Sequence, residues 1–79
     1  MKLNEAIKEK IYKILRERNL TINKLASISC LTQSTVNSLV DGKSKNPQLL
    51  TIVRICDGLE IELKDFFDDE LFKNINRED

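Results

Sequence analysis

The stretch TINKLASISCLTQSTVNSLVDG, residues 21–42, holds two short apolar repeats, each opened by a threonine. Thr21 and Thr32 each precede a helical pattern and offer a hydroxyl to the N–H groups that a helix leaves unbonded in its first turn, so both read as N-caps. The spacing predicts one helix from Ile22 to Ser29, a corner at Cys30 and Leu31, and a second helix from Gln33 to about Asp41. Gly42 is the residue expected to end that helix in the left-handed conformation. Leu25 and Ala26 then face Val36 and Leu39, with Leu31 in the corner, and Ala26 is small where two helix axes approach. Two helices joined in this way make a helix-turn-helix. The second helix is too short to be stable alone and depends on this packing, which leaves its outer side chains, Gln33, Ser34, Asn37 and Ser38, for a partner. An ordinary helical hairpin with a polar solvent face has the same spacing, and the pattern alone does not separate the two.

Toward the N-terminus, Asn4 reads as an N-cap, and Leu3, Ile7, Ile11, Ile14 and Leu15 form one stripe of a first helix. Asn19 suits the left-handed position after it, with Leu20 folding back on Leu15. Beyond the central stretch, Gly42-Lys43-Ser44-Lys45-Asn46-Pro47 carries two cations, hydroxyl and amide donors, and no acid. Such a loop suits a phosphate backbone; it is otherwise plain linker, and its place just past the second helix favours phosphate. Pro47 is expected to open the next helix, where its missing N–H costs nothing. Leu49, Ile52, Val53, Ile55, Cys56 and Leu59 make that helix the central core element, with Gly58 weakening its last turn. Ile61 and Leu63 lead into a short helix with Phe66 and Phe67, and Leu71, Phe72 and Ile75 carry the apolar pattern into the tail. Phe66, Phe67, Leu71 and Phe72 exceed what a domain of this size needs inside. They are candidates for a dimer seam, the other reading being closure of the chain's own core.

From about Ile11 to Phe67, and most densely over LTINKLASISCLTQSTVNSLVDGKSKNP at 20–47, the chain resembles the Cro and phage-repressor group of helix-turn-helix proteins, the XRE family. Thr-Gln-Ser-Thr-Val at 32–36, Asp-Gly-Lys at 41–43 and Asn-Pro at 46–47 all fall in the family's register. The resemblance implies an all-α, compact five-helix bundle of the lambda-repressor-like type, with the helix-turn-helix at helices 2 and 3. It also implies that helix 3 enters the major groove of double-stranded DNA, usually as a homodimer on a two-fold site. Three positions depart from the pattern. Cys30 stands where the family usually has Gly, Leu15 and Lys24 where many members pair an Arg with a Glu, and Ile22 where a polar residue reaches a phosphate.

Seventy-nine residues make one domain, with 41% apolar residues, two Gly and one Pro, as suits a helical bundle. No apolar run approaches the ~20 residues of a membrane span, and no signal peptide opens the chain, so a cytoplasmic protein is expected. Cys30 and Cys56 have no His to join them in a zinc site and read as reduced thiols, Cys56 in the core. The zero net charge divides unevenly. Residues 1–47 hold nine Lys or Arg against four acids, and residues 48–79 four against nine. The basic half, with the helix-turn-helix, would face phosphates and the acidic half point away.

Catalysis is not expected: there is no His, no nucleophile with a base at a usable spacing and no Gly-rich phosphate loop. No cofactor or metal is expected, and Asp68, Asp69 and Glu70 read as solvated surface. The chain divides into a DNA-binding domain at 1–67 and a short extension at 68–79, a candidate dimer contact. The reading that results is a small transcriptional regulator that represses by occupying an operator. Gln33, Ser34, Asn37 and Ser38 would read bases, and Thr21, Thr35, Lys43, Ser44, Lys45 and Asn46 would contact phosphates. The alternative is a protein-interaction module, such as an antitoxin or a phage or restriction-system control component. Ile28, Val40 and the Phe-containing tail favour it.

Overall fold

Five α-helices and one 3₁₀ turn make up the computed structural model, which describes residues 1–41 and 46–77. In chain order they are α1 (Leu3–Arg18), α2 (Ile22–Ile28), α3 (Gln33–Val40), α4 (Leu49–Leu59), α5 (Leu63–Phe67) and the 3₁₀ turn Glu70–Phe72. Thr21 and Thr32 cap α2 and α3 as expected: the hydroxyl of Thr21 accepts from Lys24 N–H, and that of Thr32 from Thr35 N–H, each at 3.1 Å. Leu25, Ala26, Val36 and Leu39 are buried between the two helices, with Leu31 packed against them.

One terminating device serves three helices. Asn19, Cys30 and Glu60 all hold left-handed backbone, with φ of 55°, 56° and 59°. After each, an apolar residue donates its N–H back to a carbonyl five residues earlier: Leu20 to Leu15, Leu31 to Ala26 and Ile61 to Cys56, at 2.9, 2.9 and 3.0 Å. This is the Schellman closure, which satisfies carbonyls left orphaned at the helix end and folds the apolar residue onto the core. Leu20, Leu31 and Ile61 are all half-buried there.

Helix α4 is the central core element, with Ile52, Ile55, Cys56 and Leu59 buried. Gly58 permits a close approach: a Cβ on it would lie 2.6 Å from the carbonyl oxygen of Ile28 and 2.8 Å from Ser29 Oγ, so α2 and α4 touch backbone to backbone. Leu15 and Ile14 fill the junction of α1 with the helix-turn-helix by apolar packing, while Lys24 is exposed.

Several local expectations are corrected. Asn4 is not the N-cap of α1; the cap is Lys2, because the Glu5 carboxylate reaches back to accept the Lys2 N–H at 3.2 Å. Leu3 is exposed, and the buried stripe includes Ala6 and Lys10 instead. Pro47 does not open α4, whose N-cap is Gln48, and Leu49 is exposed. Gly42 lies outside the described residues.

The C-terminal segment differs most from expectation. Asp69 is not solvated surface: its side chain is only 8% exposed, and its carboxylate bonds Lys10 Nζ at 2.9 Å and Lys13 Nζ at 2.8 Å and accepts Leu71 N–H at 3.0 Å. These bonds hold its carboxyl far below the usual carboxylate range, Lys13 contributing most, and raise the ammonium of Lys13 in turn. Further on, Asn76 donates its N–H to the Met1 carbonyl at 2.9 Å, in a single parallel bridge with Lys2. Phe66 is fully buried, and Phe67 and Phe72 pack edge-on to each other with centroids 4.9 Å apart. Phe66 therefore belongs to the core and not to a surface seam; Phe67, Leu71 and Phe72 are half-buried.

Candidate nucleic-acid interface

Helix α3 is eight residues long and buries Val36, Leu39 and Val40 on its inner side. The periodicity puts Gln33, Ser34, Asn37 and Ser38 on its outer side, and all four are exposed. Among the described residues none of them makes a side-chain hydrogen bond, so each keeps its donors and acceptors for a partner. Amide and hydroxyl groups without charge suit the mixed donor and acceptor edges of base pairs better than they suit a phosphate or an ion.

The neutral donors lie at the helix starts. Thr21 Oγ1 accepts from Lys24 N–H and still has its own proton to give. Thr32 Oγ1 and Thr35 Oγ1 are 2.8 Å apart and share one proton, which leaves the other hydroxyl proton of that pair for an outside acceptor. Ile22, in contrast, is half-buried against the core and makes no polar reach.

A cleft of about 320 Å³ runs beside α3, lined by Ser34, Thr35 and Ser38 on one side and by Asn46, Gln48 and Thr51 at the entry to α4 on the other. Asn46 thus lies beside α3. Gln48 and Thr51 were not singled out from the sequence; their signal is two neutral polar residues flanking the first turn of a mostly apolar helix. Lys43, Ser44 and Lys45 lie outside the described residues.

The basic half is less available than its count implies. Lys10 and Lys13 are engaged by Asp69, and Arg18 donates to the Leu59 carbonyl at 2.7 Å, tying the end of α1 to the end of α4. Lys2, Lys8, Arg16 and Lys24 make no ion pair among the described residues. The residues that favoured a protein-interaction module also turn inward. Val40 is buried and Ile28 is half-buried against the same core.

Residues 10–71 match the family described as the Cro/C1-type HTH DNA-binding domain. The chain belongs to that family. The Cro/C1-type domain is a DNA-binding regulator fold and not a class of enzyme. The crystal structure of the prophage Lp1 protein 11 is similar to this chain at 38% sequence identity, with a TM-score of 0.81, over 95% of this chain and 100% of that one. No curated protein matches the chain. Among the described residues, no helix of this Cro/C1-type domain is long and apolar enough to cross a membrane.

Proposed function

We propose that this Cro/C1-type protein is a small transcriptional regulator that recognises a specific double-stranded operator by placing α3 in the major groove, and that it represses by occupying that operator. The observation that carries the reading is the outer face of α3, where four exposed, uncharged hydrogen-bonding side chains have no work to do in the fold. Gln33 and Asn37, one turn apart, each have an amide that can donate to and accept from adenine. Ser34 and Ser38 lie beside them for adjacent bases or sugars. Thr21, Thr35 and Asn46, together with Lys43, Ser44 and Lys45, would fix the register by contacting phosphates. The protein would act in the cytoplasm as a homodimer, because one helix-turn-helix covers only a few base pairs and paired half-sites supply the rest of the specificity.

Selection from random duplexes at a stated salt concentration, followed by a salt titration on the winning sequence, tests this reading. One enriched half-site motif is expected, usually present twice, with affinity falling steeply as salt rises. A pool with no enriched sequence would overturn it and favour a protein partner.

A further inference from the structure

Helix α4 has one face that the described residues leave uncovered. Ile52, Ile55, Cys56 and Leu59 point into the core, Gly58 lies against α2, and Thr51 lines the cleft beside α3. What remains is Leu50, Arg54 and Asp57, spaced i, i+4, i+7 along one side, with exposed Leu49 and half-buried Val53 at the edge. Leu49 and Leu50 are each 57% exposed, more than any other large apolar residue among those described. Arg54 and Asp57 are exposed, one turn apart and opposite in charge, yet neither forms an ion pair among the described residues.

We propose that this face is a self-complementary seam that pairs two copies of the chain with their α4 helices antiparallel about a two-fold axis. It locates the dimer of the proposed function, on which it rests. The charges select the arrangement. With the axis between positions 55 and 56, Arg54 of each copy meets Asp57 of the other, so the same ion pair forms twice; a parallel pairing would set like charges together. In the antiparallel register Leu50 arrives at the end of the second copy's α4, where Ile61 is half-buried. The tail offers no rival of equal standing. Phe66 is in the core, Phe67 and Phe72 pack on it, and Asp69 ties the segment to α1. A single helix face is smaller than the ~800 Å² per partner of an ordinary stable interface, so the seam is weak alone and is strengthened when two half-sites hold the copies together.

Sedimentation of the full chain without DNA decides it, with Arg54→Asp, Asp57→Arg, the double variant and an equimolar mixture of the two singles. Both positions are exposed, so thermal midpoints should stay close to the wild type. The wild type should dimerise reversibly, each single variant should weaken the dimer roughly tenfold or more by opposing like charges, and the double variant and the mixture should both recover it. Three results would overturn the seam: a wild type monomeric throughout, single variants that dimerise as well as the wild type, or a loss that neither the double variant nor the mixture restores. Because no DNA is present, the seam can fail while sequence selection by α3 stands, and the reverse outcome is equally visible.

Discussion

The helix-turn-helix at residues 21–41 and the C-terminal segment at 60–77 are similar in length and are built by opposite means. The first is assembled from neighbours. Threonine caps, a Schellman closure just before it and another at its own turn, and apolar pairs a few residues apart hold it together, while Gln33, Ser34, Asn37 and Ser38 on its outer side carry no internal load. The second is held from a distance. Asp69 is bound by lysines 56 and 59 residues away, Asn76 by the first residue of the chain, and its aromatic side chains close the core. Gln33, Ser34, Asn37 and Ser38 on α3 therefore keep their polar groups for a partner, whereas the most conspicuous acid of the tail is part of the fold.

The largest effect should come from cutting the tail's anchor. Asp69→Asn leaves Lys10 buried opposite a neutral group, and breaking a buried ion pair by removing one partner costs about 3 kcal/mol. Urea unfolding should show that loss, while the sequence preference on DNA is unchanged. The pH dependence has a definite sign. Because the Asp69 carboxyl titrates well below its unfolded value of about 3.9, its contribution is complete above that value and disappears as pH falls toward the depressed one. The gap between wild type and Asp69→Asn should then narrow in strong acid. An equal gap at neutral and strongly acidic pH would mean that the carboxylate is not the anchor.

A smaller effect should follow from Gly58→Ala, which tests how α4 supports the helix-turn-helix. Alanine gains up to about 1 kcal/mol in helix propensity, but overpacking against backbone costs about 1–3 kcal/mol. At 2.6 Å the Ile28 carbonyl oxygen cannot turn aside as a side chain would, so the clash wins and a lower urea midpoint is expected. An unchanged or higher midpoint would show that α2 and α4 separate at no cost.

Cys30→Gly should change least. Releasing a non-Gly residue from left-handed backbone recovers on the order of 1 kcal/mol, and most of that returns as glycine's extra freedom in the unfolded chain. A stabilisation of under about 1 kcal/mol is expected. Marked destabilisation would mean that the Cys30 side chain packs usefully in the turn.

These contrasts also explain what was legible in the sequence. Thr21, Thr32, Asn19 and the apolar periodicity of α2 and α3 act within one or two turns, so their spacing alone places them. Cys30 holds left-handed backbone at the turn, a position marked by the family resemblance, in which Gly usually stands there, and not by local spacing. Lys10 and Asp69 look like any two surface charges until the fold brings them together, and nothing local marks either one. The same holds for Arg18, whose bond to the Leu59 carbonyl removes a cation from the apparent basic face. Glu60 was missed as a left-handed residue because its type gives no hint. Gly58 was noticed for its cost to the helix, while its use, a close approach to α2, appears only in the packing.

The claim that matters most is that α3 reads bases with side chains the fold does not use, and the double variant Gln33→Ala/Asn37→Ala tests it most directly. Both residues are exposed, so the thermal midpoint should stay near that of the wild type. Binding-site selection with the variant should lose the wild-type preference at two or more base positions, with affinity for the wild-type site reduced by roughly 1–3 kcal/mol for each residue that makes a bidentate contact. A folded variant that selects the same sequence with the same affinity would show that α3 is not the reader.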